Sequence, residues 1–152
     1  MRVGLIGCGA AKVEQAAPAA ELYTGPFYRL CRQWMTKPGR VDEWGILSAK
    51  YGLVLPETVI EPYDLALKHL HYRELCRWRE QVHEQLMRQW GAQVIYMVLA
   101  GDRYCSALSR MPMVEDVIAH WTNMRKLNGM RRPQMGIGVI KRYLLEDRSF
   151  GA

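Results

Sequence analysis

The chain has 152 residues, 49% hydrophobic and 24% charged, which is enough to bury about two thirds of its unfolded surface around one core with no metal or disulfide to hold it. Its four cysteines, Cys8, Cys31, Cys76 and Cys105, are too scattered for a Cys-x-x-Cys pair or a Cys/His knuckle, which argues against a zinc site and a disulfide framework and fits a reducing cytoplasm. The N-terminal apolar run is too short for a signal peptide, and no stretch is long enough to span a bilayer. The expectation is one α/β domain over residues 1–152, cytoplasmic, with no membrane contact, metal or resident cofactor.

In chain order, Arg2 to Ile6 reads as a buried first strand, and Gly7-Cys8-Gly9-Ala10-Ala11-Lys12 as the turn leaving it. Gly7 and Gly9 form Gly-x-Gly, but Lys12 stands where a dinucleotide fingerprint has its third glycine, so that kind of site is not supported. Cys8 is either a nucleophile whose thiolate Lys12 stabilises or a small buried apolar residue. The Ala/Pro-rich stretch Glu14 to Ala20 reads as a loop or short turn carrying Leu22 and Tyr23 to the core. Thr24 reads as the N-cap of a helix with Pro26 just inside it, since Phe27, Leu30, Cys31 and Trp34 recur at helical spacing. That helix stops before Pro38-Gly39, and the Trp44 to Leu47 strand completes a βαβ unit with a parallel crossover.

The Trp44 strand turns abruptly into Ser48-Ala49-Lys50-Tyr51-Gly52. Such a change marks the carboxyl end of a strand, where open α/β sheets bind ligands. Pro56 and Pro62 then push Leu55 and Glu61 towards extended backbone, so about a dozen residues cross the surface before Tyr63 and Asp64. A loop that long in a compact domain is generally functional.

Beyond Asp64, Leu67, Leu70, Leu75, Trp78, Val82, Leu86 and Trp90 make one apolar stripe of a long helix that Gly91 closes. His69, His71 and His83 lie on it without metal-ligand spacing. Val94 to Ala100 is a third strand, ending in Gly101-Asp102-Arg103-Tyr104, with a helix following to about Leu108. Further on, Asp116 to His120 reads as a short strand or helical turn, Asn123 to Arg132 as a basic loop, and Gly136-Ile137-Gly138 as the opening of a last amphipathic helix. These elements predict an α/β fold, three-layer and Rossmann-like, with a small, mostly parallel sheet flanked by helices.

Three strands thus deliver polar clusters to one edge of a sheet, and their coincidence marks a site lined by Lys12, Ser48, Lys50, Tyr51 and Tyr104. The charge balance suggests its partner. Of the net +6, residues 101–152 carry +4, from nine basic side chains against five acidic ones. Such a face suits phosphate-bearing partners, and Arg125, Lys126, Arg131 and Arg132 are the expected phosphate contacts.

Several blocks carry a family resemblance: Cys8-Gly9 with Lys12, Leu22-Tyr23-Thr24 with Phe27, Ile46-Leu47-Ser48-Ala49-Lys50-Tyr51-Gly52-Leu53, Pro62-Tyr63-Asp64, Ala100-Gly101 with Tyr104, and Gly136-Ile137-Gly138. They resemble the signature of a bacterial and phage family, domain of unknown function 6884, itself distantly similar to the peroxide-stress YaaA proteins. Gly25 departs from the Ser usual there, and Pro133-Gln134-Met135 from the usual Pro-Leu pair. The resemblance covers nearly the whole chain. It implies substrate-side positions at Cys8, Gly9, Lys12, Tyr23, Thr24, Ser48, Tyr51, Gly52, Tyr63, Gly101 and Tyr104. The YaaA likeness implies DNA binding and protection from oxidative damage.

The expected function is an enzyme acting on a nucleotide or on a base in nucleic acid, DNA before RNA, at the N-glycosidic bond. The alternative is a non-catalytic DNA-binding stress protein. Breaking that bond develops oxocarbenium-like charge, which an ionised carboxylate stabilises. Asp64 is the expected carboxylate, with Tyr63 as a stacking surface and Lys50 or Lys12 holding a phosphate or the leaving base. Glu61-Pro62-Tyr63 resembles the Asp-Pro-Tyr of uracil-DNA glycosylases, which makes Glu61 the reserve. Against this, Asp64 has a competing role as the cap of the following helix.

Overall fold

The structure, a computed structural model, describes residues 1–108. Its framework is a four-stranded sheet in the order β4 (Gly52–Val54), β3 (Glu43–Ser48), β1 (Arg2–Gly7), β6 (Ile95–Leu99). The central strand β1, Arg2–Gly7, is buried from Val3 onwards, as an unbroken apolar run requires when both faces of a strand are covered. It pairs in parallel with β3, Glu43–Ser48, on one side and with β6, Ile95–Leu99, on the other. The chain therefore leaves β1, builds β3 beside it, and crosses back over to build β6 on its far side. Ligand crevices in open α/β sheets form where the strand order reverses in this way.

Between β1 and β3 lie a two-residue strand β2, Ala17–Pro18, a one-turn helix α1, Ala19–Leu22, and the helix α2, Pro26–Met35. The Ala/Pro-rich stretch is thus not all loop. Ala17 and Pro18 pair antiparallel with β5, Val59–Ile60, so the segment expected to run free over the surface is pinned at its far end. The helix α2 starts one residue later than Thr24 implies. Gly25, in extended backbone, is its N-cap, with Pro26 at the first helical position and no side-chain cap bond; Thr24 instead gives its backbone N–H to the Ala11 carbonyl, bracing the loop after β1. Pro26, which needs no donor partner, sets this boundary.

After β3 the chain reverses through residues 49–51 and returns as a short antiparallel strand β4, Gly52–Val54, with Ser48 opposite Gly52. This hairpin shortens the expected surface crossing. Leu67–His69 then forms one tight helical turn, separate from the long helix α3, Tyr72–Trp90. The break between them is local hydrogen bonding. The Ala66 N–H goes to His69 Nδ1 at 3.2 Å and the His71 N–H to a Glu74 carboxylate oxygen at 2.8 Å, bonds that compete with helix continuation. Leu67 reaches the core from outside α3. A helix α4, Asp102–Leu108, follows β6.

Alternate strand residues feed two separate cores. Val3, Leu5, Tyr96 and Val98 pack with Trp78, Val82 and Leu86 of α3, while Ile6, Ile46, Met97 and Leu99 pack with Tyr28, Cys31, Trp34 and Met35 of α2. The period of two along each strand sorts them. A Cβ at Gly4 would overlap the Met35 side chain in the second core, so a larger residue there would oblige Met35 to move. Among the described residues no helix is long and apolar enough to cross a membrane. The segments expected at Asp116 to His120, Asn123 to Arg132 and Gly136 onwards lie outside the described residues.

Candidate functional site at the strand ends

Because β1, β3 and β6 are parallel and adjacent, their carboxyl ends open onto one place, and Cys8, Ser48 and Tyr104 meet there. Cys8 follows β1 directly and its backbone N–H is held by the Leu47 carbonyl at 2.9 Å. Its half-buried thiol lies 2.8 Å from the Tyr104 hydroxyl. The sequence expectation paired this thiol with Lys12. In the structure the Lys12 ammonium donates to the Ala10 carbonyl at 3.1 Å and stands 4.4 Å from the centre of the Tyr63 ring and 5.7 Å from that of Tyr23. Both rings present an electron-rich face to the cation.

Ser48 is the anchor. It is fully buried and so is no exposed pocket wall. Its hydroxyl accepts the backbone N–H groups of Lys50 at 3.2 Å and Tyr51 at 3.1 Å and donates to the Tyr63 hydroxyl at 2.6 Å, while its carbonyl accepts the Trp78 indole N–H at 2.8 Å. The Tyr63 hydroxyl in turn lies 2.7 Å from that of Tyr23. One serine thus ties together the end of β3, the turn after it, the long loop and the helix α3. The Tyr51 ring meets the Tyr63 ring edge to face at 5.5 Å, and the exposed Lys50 ammonium lies 5.2 Å from the centre of the Tyr51 ring.

Burial dominates the electrostatics. It raises the Tyr23 hydroxyl from 10.0 to about 12, and raises Tyr63 and Tyr104 further, helped by the neighbouring Cys8 thiol. Loss of hydration penalises the phenolate in each case. Tyr23, Tyr63 and Tyr104 are therefore neutral phenols at physiological pH.

Gly52 is buried with φ +73°, and a Cβ there would collide with the Gln85 amide, so the turn itself requires a glycine. Gly9 and Gly101 are half-buried with open space where a Cβ would be, and the Gly101 carbonyl accepts the Tyr104 N–H at 3.1 Å. Glu61 and Asp64 are exposed. Asp64 caps no helix: the N-caps of the two helical segments that follow are Ala66 and His71. The competing capping role is thereby removed. Arg125, Lys126, Arg131 and Arg132 lie outside the described residues, and among the described residues no cluster of His, Cys, Asp or Glu could hold a metal ion.

Three supporting residues escaped sequence reading. Trp78 reads as part of the apolar stripe, yet its indole N–H fixes the Ser48 carbonyl. Gln81 and Gln85 give their amide N–H groups to the Tyr51 carbonyl, each at 3.1 Å, and the Gln85 carbonyl accepts the Leu53 N–H at 2.8 Å. Their spacing of four, uncharged on a helix otherwise rich in charge, is the available signal.

Among curated proteins the chain is similar to the uncharacterized protein YfjM of Bacillus subtilis (strain 168), with 29% identity over 117 residues, covering 71% of this chain and 75% of that protein. No solved structure matches. The family model described as "Family of unknown function (DUF6884)" matches residues 3–132, a span that takes in all three strand ends, and the chain belongs to that family.

Proposed function

We propose that the chain is an enzyme acting on a nucleotide or on a base in nucleic acid, cleaving or transferring at the N-glycosidic bond, with Asp64 as its carboxylate. The observation that carries the reading is an exposed carboxylate, capping no helix among the described residues, next in sequence to Tyr63, whose hydroxyl belongs to the donor cluster at three parallel strand ends. Cleavage puts positive charge on the sugar and negative charge on the departing base. Ionised Asp64 answers the first, by direct attack or by orienting water, and the phenols with the Lys12 ammonium answer the second. Glu61 is the reserve carboxylate, and Lys50, whose exposed ammonium lies 5.2 Å from the centre of the Tyr51 ring, is proposed to hold a phosphate. The same proposal takes the fold as three-layer and Rossmann-like, which the two cores on alternate strand residues support.

The partner is proposed to be DNA before RNA, or a free nucleotide, on the strength of the +4 carried by residues 101–152. That excess also favours the second reading, a non-catalytic DNA-binding protein of the YaaA kind. The test is a mass-spectrometric screen for free base released from modified and unmodified DNA and from nucleotides. Base release that Asp64→Asn abolishes supports the enzyme; tight DNA binding with no release, unaffected by that substitution, supports the binding protein.

A further inference from the structure

We infer that the exposed surface formed by Lys68, His69, Tyr72, Arg73 and Arg77 docks single-stranded DNA, with the Tyr72 ring stacking on a base and the cationic side chains meeting phosphates. The nucleic-acid class rests on the reading above; the place, and the preference for an unpaired strand, rest on geometry and charge.

The place follows from how α3 runs. Its Trp90 indole N–H reaches a carboxylate oxygen of Glu43, the first residue of β3, and its Trp78 indole N–H reaches the carbonyl of Ser48, the last. The helix from Trp78 to Trp90 rises about 18 Å and β3 spans about 17 Å, so α3 lies antiparallel to β3 and matches its length. The residues before Trp78 therefore stand beyond the carboxyl ends of the strands, with Tyr72 about 9 Å further along the helix axis. Leu67 packs with Trp78 and Tyr104, which holds the turn Leu67–His69 at the same end. Cys8, Ser48 and Tyr104 meet there, and Tyr63 and Asp64 lead into that turn.

Charge separates along the same axis. Over residues 65–79 stand Lys68, Arg73, Arg77 and Arg79 against a single carboxylate, Glu74, which already accepts the His71 N–H at 2.8 Å. The other acids of α3, Glu80 and Glu84, come after Trp78, alongside the sheet. Lys68, His69, Arg73 and Arg77 are all exposed, and such a surface complements a phosphate backbone. Tyr72 stands among them 71% exposed, more than any other large apolar side chain among the described residues. A lone exposed ring is ordinary. One flanked by cations at the edge of the candidate site fits a strand whose bases are unpaired, because stacking needs an open base face that a duplex keeps covered.

The test is equilibrium binding of the full chain to a fluorescently labelled oligodeoxythymidylate and to a duplex of the same length, across a range of salt. Tyr72→Ala is expected to weaken binding of the single strand about tenfold and to leave the duplex unchanged, while Tyr72→Phe, which keeps the ring, binds the strand as the unaltered chain does. The triple variant Lys68→Ala/Arg73→Ala/Arg77→Ala is expected to make the slope of log affinity against log salt shallower by about 2 for the strand, at roughly 0.7 per phosphate contact. All four side chains are exposed, so the fold is expected to survive, read by circular dichroism; if the triple variant does not fold, Tyr72→Ala against Tyr72→Phe decides. No binding of the strand, an unchanged affinity in Tyr72→Ala, an equal loss on strand and duplex, or an unchanged salt slope in the triple variant overturns the inference. Strand binding that depends on Tyr72 with no base release in the screen keeps the surface and removes the glycosidic reading. Base release with strand binding indifferent to Tyr72 does the reverse.

Discussion

At the scale of single residues, the candidate site separates a residue that holds the structure together from one proposed to act. Ser48 holds: every polar atom of its side chain and its carbonyl is engaged inside the protein. Asp64 is exposed, caps no helix among the described residues, and is the residue proposed to act. Asp64→Asn keeps the shape and loses the charge, so turnover in base release should fall by two or more orders of magnitude, a typical scale for a catalytic carboxylate's electrostatic contribution, with no measurable change in melting temperature because Asp64 caps nothing. Unchanged turnover would remove Asp64 and leave Glu61. The phenols give a pH prediction. The Tyr23 pKa is raised on folding, from 10.0 to about 12, so its contribution to stability is complete below pH 10 and is lost as pH rises through the folded value. Tyr63 and Tyr104 shift the same way and extend the effect. Denaturant melts across that alkaline range should show falling stability, and phenolate absorbance should appear late for these residues; a flat profile would contradict the burial.

At the scale of elements, the turn from β3 into β4 positions Lys50 and Tyr51, and α3 clamps it. The Gln85 side chain bonds the Leu53 N–H and the Tyr51 carbonyl at once, replacing ladder bonds that a three-residue strand cannot make alone. Gln85→Leu should cost about 1–3 kcal/mol in chemical denaturation through the partners left unmade. Gly52→Ala should cost a similar amount, roughly 1–3 kcal/mol, since φ +73° disfavours a side chain and the Gln85 amide occupies the space its Cβ would need. Trp78→Phe keeps the ring in the core but orphans the buried Ser48 carbonyl. It should loosen the Tyr63 loop as well as lower stability, seen as faster amide exchange around residues 61–64. Exchange confined to α3 itself would show that the indole bond does not couple them.

At the scale of the whole molecule, the charge of residues 101–152 sets the partner prediction. If Arg125, Lys126, Arg131 and Arg132 contact phosphates, the logarithm of DNA affinity should fall with the logarithm of salt at about −0.9 per duplex phosphate neutralised. Replacing all four by Ala should flatten that slope by about four such contacts. No change on replacement would point to a free nucleotide as substrate.

The sequence by itself determined the alternation of strand and helix, the parallel sheet and the convergence of three strand ends, because long apolar runs and helical periodicity are local signals that burial enforces. It also carried the family, through the Leu47-Ser48-Ala49-Lys50-Tyr51-Gly52 block. Short elements were not legible: the pairs Ala17–Pro18 with Val59–Ile60, and Gly52–Val54 with β3, exist only because distant segments meet. Nor could spacing show that Ser48 is fully buried, that the Lys12 ammonium stands over the Tyr63 ring, or that the Cys8 thiol meets the Tyr104 hydroxyl. Those outcomes depend on which hydrogen-bond partners lie within about 3 Å once the chain is closed, and residues 96 positions apart, as Cys8 and Tyr104 are, become neighbours only through the packing of β1 against β6.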